Sequence, residues 1–90
     1  EFLLVAPSTS ARELRPVVQR LLQRVRDMVV PWEGREIRLT FSAGLADSDE
    51  WSPGELTVER LVALADHRLY QAKQSGRDRC VGAGEDVLPA

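Results

Sequence analysis

The spacing of hydrophobic residues changes several times along the chain, and each change predicts a different element. The chain opens on a short apolar run, Phe2 to Ala6, which is closed by Pro7. This run is too short for a helix and predicts a largely buried strand. A buried strand needs neighbours, and an apolar edge left unpaired invites pairing with another chain. We therefore expect this segment to swap, to dimerise or to lie within a larger assembly.

Residues 10 to 29 predict an amphipathic helix, because apolar side chains recur at every third or fourth position. The apolar face consists of Leu14, Val17, Val18, Leu21, Leu22, Val25, Met28 and Val29. Ser10 and Glu13 have the spacing of a capping box. Pro16 removes one backbone donor just inside the helix, so we expect an irregular first turn.

Residues 37 to 46 alternate with a period of two, which predicts a strand. One face holds Ile37, Leu39, Phe41, Ala43 and Leu45, and the other holds Arg38, Thr40, Ser42 and Gly44. The second face is small, so another part of the chain is expected to approach it closely. The preceding residues, Pro31 to Arg35, are predicted to form a turn.

A second helix is predicted after Thr57, a favourable N-cap, and Gly76 is placed to end it. The polar loop before this helix carries Asp47, Asp49 and Glu50, which we expect to be solvated. Residues 79–83 predict a short closing strand, and residues 84–90 a frayed tail. The predicted order is strand, helix, strand, helix, strand, which is an α/β (α+β) fold.

Composition and charge exclude several classes of function and say less about the fold. The chain has 90 residues, of which 43% are hydrophobic and 29% charged, as in an ordinary small globular domain. A formal net charge of −2 argues against a general nucleic-acid or anionic-membrane surface. Cys80 is the single cysteine, which excludes an internal disulfide and suits a reducing cytoplasm. No apolar run reaches the length of a membrane span.

Three segments together carry a family resemblance. They are Glu1-Phe2-Leu3-Leu4-Val5-Ala6-Pro7, Leu39-Thr40-Phe41-Ser42-Ala43-Gly44-Leu45-Ala46, and the run ADHRLYQAKQSGRDR at 65–79. In this order and at these distances they resemble the end of the GGDEF signature, the "VTVSIGVA" strand and the "ADxALYxAKxxGRNR" segment of the GGDEF family. The third segment is the most specific. Residues 1–83 thus resemble the C-terminal half of a GGDEF domain, beginning at the "EF" of the signature.

The resemblance implies a partial ferredoxin-like, nucleotide-cyclase palm that acts as part of a diguanylate cyclase. Two such domains, each holding one GTP, meet face to face and condense the two nucleotides into cyclic di-GMP. A ribose 3′-hydroxyl attacks an α-phosphorus and pyrophosphate leaves, with Mg²⁺ bridging carboxylates and phosphates. The implied partner is a second GGDEF domain, in a homodimer that is potentially strand-swapped.

The same resemblance assigns roles to three residues. Glu1 falls on the fourth position of the signature, which implies a catalytic and magnesium-binding carboxylate. Lys73 and Arg77 match the lysine and arginine that bind the triphosphate, and their four-residue spacing predicts that they lie on one side of the helix end. Alternatively, these two cations only complement the negative end of the helix macrodipole.

The residues that would complete the signature, two glycines and an acid, would precede Glu1. We therefore expect the 90 residues to be inactive by themselves. Two other interpretations stay open on the sequence. One is a degenerate GGDEF domain that senses a nucleotide or binds a protein without catalysis. The other is an unrelated ferredoxin-like interaction domain.

Overall fold

Two long helices dominate the computed structural model, which describes residues 1–85. The element order is α1 (Ala11–Asp27), β1 (Val30–Trp32), β2 (Arg35–Ile37), β3 (Ala43–Gly44), a 3-10 turn (Ser48–Glu50), α2 (Val58–Gln74) and β4 (Cys80–Val81). This mixture of helices and short strands is an α/β fold, in agreement with the predicted class. In the described part of the chain no helix is long and apolar enough to cross a membrane.

Helix α1 begins where its capping box predicts. The Ser10 hydroxyl accepts a hydrogen bond from the Glu13 N–H, and the Glu13 carboxylate accepts one from the Ser10 N–H. The expected irregular first turn is wrong, because the helix is regular from Ala11 and Pro16 lies inside it. Pro16 is exposed, and the cap at the start of the helix offsets part of the cost of the hydrogen bond that Pro16 removes.

The predicted strand at Phe2–Ala6 is not formed. The segment has no sheet partner within residues 1–85, and Leu3, Leu4 and Val5 are 67%, 69% and 73% exposed. A strand exists only where a neighbouring backbone accepts and donates its hydrogen bonds, and an apolar run by itself provides no such neighbour. The start of the predicted strand–helix–strand–helix–strand order is therefore wrong for these residues.

A β-hairpin takes the place of the predicted turn at Pro31–Arg35. Strands β1 and β2 pair antiparallel, with Val30 opposite Ile37 and Trp32 opposite Arg35. Glu33 and Gly34 form the two-residue connection, and both have positive φ values, +48° and +77°. Two consecutive positive φ values match the twist of a hairpin, so the Glu-Gly pair forms its turn. Of the predicted 37–46 strand, Ile37 belongs to β2 and only Ala43–Gly44 forms a separate strand, β3.

Strand β3 pairs parallel with β4 and joins the closing segment to the centre of the fold. The Ala43 N–H donates to the Arg79 carbonyl and the Leu45 N–H to the Val81 carbonyl, each at 2.9 Å. Gly44 faces α2 so closely that a Cβ built on it would clash with the backbone of Ala65 and Leu69. The close approach predicted for the small face of this strand is thereby confirmed, and the approaching element is α2.

Both ends of α2 match the sequence prediction. The Thr57 hydroxyl accepts a hydrogen bond from the Arg60 N–H at 3.1 Å. At the other end, the Arg77 N–H donates to the Ala72 carbonyl at 2.9 Å across Gly76, whose φ is +128°. This bond has the pattern of a Schellman motif, which favours glycine at the position of Gly76 because the backbone there has a positive φ.

The hydrophobic core is small. It consists of Val18 and Leu22 from α1, Leu45 after β3 and Cys80 of β4, with Leu14, Phe41 and Ala43 packed against them. The predicted closing strand at 79–83 is present as β4. Of the predicted tail, Glu85 forms an ion pair with Arg15, and residues 86–90 lie outside the described residues.

Candidate functional site

Lys73 and Arg77 lie at the C-terminal end of α2, where the chain turns toward β4. Lys73 is in the last helical turn and is half-buried. Arg77 lies beyond the helix, which ends at Gln74 with Ser75 as its C-cap. The sequence predicted that helical i, i+4 spacing would place Arg77 beside Lys73. Because Arg77 lies beyond the helix, that spacing does not apply to it. The direction of the Arg77 side chain depends on the turn that follows the helix.

That turn has an unusual backbone. Arg77 and Asp78 have φ values of +62° and +51°, directly after Gly76 at +128°. A residue with a side chain is destabilised in the left-handed region by about 1–2 kcal/mol, and less when it is an aspartate. Two such residues in succession persist only where surrounding contacts hold them. We call residues 76–79 the arginine turn.

Two side chains hold the arginine turn in place. From α1, Arg26 donates through Nε to both carboxylate oxygens of Asp78 at 2.8 Å and through Nη2 to the Asp78 carbonyl at 3.1 Å. Arg79 donates through Nε to the Arg77 carbonyl at 3.0 Å. The arginine turn is therefore fixed through both its side chains and its carbonyls.

The charged ends of Lys73 and Arg77 are uncommitted. Among residues 1–85, neither side chain forms a hydrogen bond or an ion pair with another protein group. Both cations complement the negative end of the α2 macrodipole, which explains their location without any ligand. Their lack of protein partners leaves their donors available to an anion.

Glu1 is exposed, and no hydrogen bond or ion pair in the described part of the chain joins it to Lys73 or Arg77. Within residues 1–85 no three His, Cys, Asp or Glu side chains are grouped so that they could hold a metal ion. Mg²⁺ prefers a set of oxygen ligands, and the described residues by themselves do not provide that set. The catalytic and magnesium-binding role of Glu1 stays a prediction.

An ion pair between a buried arginine of α2 and a partly exposed glutamate was not predicted from the sequence. Arg68 is 4% exposed and donates to Glu50 in the 3-10 turn and to the Leu45 carbonyl. Glu50 remains partly exposed to solvent, as the sequence led us to expect, but it also has a partner in Arg68 that the sequence did not predict. Position 68 continues the apolar stripe that includes Ala65 and Ala72, and a charged residue within such a stripe indicates a buried partner.

The carboxylates around this pair have lowered pKa values. The Arg68 guanidinium, hydrogen-bonded to Glu50, lowers the pKa of that carboxyl. The pKa of Asp47 is lowered by hydrogen bonds from the backbone N–H groups of Asp49 and Ala11. The Ala11 bond, 2.6 Å long, joins the loop to the N-terminus of α1. These groups remain ionised at neutral pH and connect α1, the loop and α2.

A shallow groove of about 390 Å³ lies between α1 and the start of β4. Its lining residues are Arg15, Gln19, Leu22, Gln23, Arg26, Asp78, Arg79 and Cys80, so neither Lys73 nor Arg77 contributes to it. Burial raises the pKa of the Cys80 thiol. The thiol is therefore protonated at neutral pH and is not an activated nucleophile. Of the two regions, the end of α2 with the arginine turn carries the two cations that lack protein partners among residues 1–85, and the groove carries neither.

Comparisons with known proteins agree with the resemblance. Residues 1–79 match the family described as "Diguanylate cyclase, GGDEF domain". The chain is 34% identical over 79 residues to Diguanylate cyclase DgcP of Pseudomonas aeruginosa. The aligned region covers 88% of this chain and 11% of that protein. It is 31% identical over 89 residues to Diguanylate cyclase A of Treponema denticola, covering 99% of this chain and 23% of the relative.

A third relative, Diguanylate cyclase DosC of Escherichia coli, is 34% identical over 80 residues, which cover 88% of this chain and 16% of that protein. The chain thus spans less than a quarter of the length of each of these three relatives. The family match excludes the alternative of an unrelated ferredoxin-like interaction domain. The chain belongs to the GGDEF family of diguanylate cyclase domains.

Proposed function

We propose that this chain forms the triphosphate-binding part of a diguanylate cyclase domain, with Lys73 and Arg77 as the phosphate ligands. The observation that carries the proposal is the pair of uncommitted cations in the segment 65–79. That segment resembles the family's nucleotide-binding sequence, and both charged ends lack protein partners among residues 1–85. Other arginines near the arginine turn, such as Arg26 and Arg79, are already engaged.

The two cations suit different parts of a triphosphate. A lysine ammonium is a compact point charge, whereas an arginine guanidinium is a planar fork that donates two parallel hydrogen bonds. In the cyclase reaction, the 3′-hydroxyl oxygen of one GTP forms a bond to the α-phosphorus of the other and loses its proton. The bond to the β-phosphate oxygen breaks, and pyrophosphate leaves with the added negative charge. Lys73 and Arg77 would bind the β- and γ-phosphates and stabilise that charge.

Apart from Glu1, the remaining groups of the reaction would come from beyond the described residues. Mg²⁺ would neutralise phosphate charge when bound, and Glu1 would supply one carboxylate toward it. A second GGDEF domain would bring the other GTP. On this proposal the chain itself binds the nucleotide, and turnover needs the whole protein. The purified chain is therefore expected to form no cyclic di-GMP. A degenerate domain would instead bind GTP without turnover even in the whole protein.

Nucleotide titrations test the assignment of the two cations. We expect the chain to bind GTP more tightly than guanosine, because the phosphates carry the interaction. Lys73→Ala and Arg77→Ala should each weaken GTP binding by roughly ten-fold or more, the loss expected for one charge-assisted hydrogen bond. Binding is measured by calorimetry at fixed ionic strength.

Arg35→Ala is the matched control, since Arg35 is an exposed arginine of the hairpin. This variant should bind GTP like the unsubstituted chain. Equal GTP affinity in the Lys73, Arg77 and Arg35 variants would contradict the assignment and leave the macrodipole as the reason for the two cations.

A further inference from the structure

We propose that Arg26 of α1 is a positioning residue for Arg77. Arg26 holds Asp78 in the left-handed conformation that sets the direction of the neighbouring Arg77 side chain. This inference rests on the proposed phosphate-binding role of Arg77. It adds a residue that touches no ligand and that belongs to a different helix.

The geometry of the Arg26 contacts supports a positioning role. Arg26 donates hydrogen bonds to the Asp78 carboxylate through Nε and to the Asp78 carbonyl through Nη2. A contact to the side chain alone would let the backbone rotate beneath it. Hydrogen bonds to both the carboxylate and the carbonyl of Asp78 fix the orientation of the peptide unit that follows it.

The backbone conformation of the arginine turn needs a contact that stabilises it. Arg77 and Asp78 both have positive φ values, which non-glycine residues leave when nothing holds them. A return of either residue to negative φ would swing the Arg77 side chain away from its present direction relative to Lys73. The bond from Arg79 restrains only the Arg77 carbonyl. Backbone hydrogen bonds tie the Arg77 N–H to α2 and the Arg79 carbonyl to β3, and Arg26 is the side chain from α1 that holds Asp78 between them.

The contact between Arg26 and Asp78 depends on the charge of Asp78. The family segment that residues 65–79 resemble has asparagine where this chain has Asp78. Asparagine and aspartate both tolerate the left-handed region, but only aspartate carries the charge that pairs with Arg26. The pair is partly exposed, with side-chain exposures of 38% for Arg26 and 34% for Asp78. Its effect should therefore weaken at high salt.

Two independent measurements test the inference. The first is GTP and guanosine binding by the chain with Arg26→Ala, Arg77→Ala and both substitutions. We expect Arg26→Ala to reduce GTP affinity by roughly five-fold and to leave guanosine affinity unchanged. The double variant should bind GTP no more weakly than Arg77→Ala, because Arg26 acts through Arg77. Additive losses in the double variant would overturn the proposal.

The second measurement is the backbone conformation of Arg77 and Asp78, from NMR couplings and chemical shifts. Arg26→Ala should shift both residues away from positive φ. Arg26→Lys keeps the charge but offers a single ammonium, so it should retain part of the conformation and part of the GTP affinity. Arg20→Ala, an exposed arginine of the same helix, should change neither. Unchanged backbone signals in Arg26→Ala would overturn the positioning role alone, whereas no GTP binding by the unsubstituted chain would overturn the proposed function.

Discussion

Arg68 of α2 and Glu50 of the 3-10 turn form a two-armed ion pair, with Nη1 and Nη2 lying 2.8 and 2.6 Å from the two carboxylate oxygens. Arg68 also donates to the Leu45 carbonyl at 2.8 Å, just after β3. Glu50 in turn accepts a hydrogen bond from the Asp47 N–H at 2.9 Å. One guanidinium thus joins α2 to the strand and to the loop that caps α1.

Removing Arg68 should strongly destabilise the chain. Arg68→Ala removes a donor from the Leu45 carbonyl and the cationic partner of Glu50, whose side chain is 21% exposed. Losing these charge-assisted hydrogen bonds should lower the free energy of unfolding by about 2 kcal/mol. Urea denaturation measures the change. Arg20→Ala, at an exposed position of α1, should change it by less than about 0.5 kcal/mol. The Arg68→Ala, Glu50→Ala double variant should lose less than the sum of the single variants, and simple additivity would argue against a direct pair.

Acid should destabilise the chain through Glu50 and Asp47. Their folded-state pKa values are lowered, by Arg68 for Glu50 and by backbone N–H groups for Asp47. Their stabilising contribution is therefore complete above the unfolded-state pKa values, which lie at about 4, and is lost as pH falls through the lower folded-state values. We expect the midpoint of thermal unfolding to fall from about pH 5 downward. Glu50→Gln should flatten that dependence, and an equally steep profile in this variant would contradict the assignment.

Gly44→Ala should destabilise the contact between β3 and α2. The added Cβ would collide with α2 backbone atoms rather than with a movable side chain, so overpacking should lower the free energy of unfolding by about 3 kcal/mol. Gly34→Ala is the comparison, because Gly34 has a positive φ but open space around it. Its effect should stay at about 1–2 kcal/mol, the strain of the backbone alone. Chemical denaturation ranks the two, and an equal or smaller effect at Gly44 would contradict the close approach.

The exposed apolar segment Phe2–Val5 should promote self-association of the purified chain. The accessible surface is 7100 Å², whereas a folded monomer of 10.1 kDa is expected to expose about 5,300 Å². Pairing of this segment with a second copy would bury part of the excess. Analytical ultracentrifugation should show concentration-dependent dimers that Leu4→Asp weakens. Val58→Asp is the control, because Val58 (73% exposed) is about as exposed as Leu4 (69%) but lies on α2. A monomer at high concentration would count against the expectation.

The sequence predicted the local features of this fold well. The capping box at Ser10, the cap at Thr57 and the helix end at Gly76 all depend on residues within a few positions of one another. The small face of β3 also predicted a close neighbour, because glycine at position 44 leaves room for one. The predictions that failed needed a distant partner. Phe2–Ala6 has the composition of a strand and lacks a neighbouring strand among residues 1–85.

The candidate site divides in the same way. Three segments in order indicated the family, and the most specific of them, residues 65–79, indicated Lys73 and Arg77, because that information lies in continuous stretches of sequence. The ion pairs Arg68–Glu50 and Arg26–Asp78 join residues 18 and 52 positions apart. Only the packing of α1, α2 and the intervening loop brings these charges together. Local sequence sets where a helix starts and stops, whereas the partner of a charged side chain is decided by how the helices are placed in space.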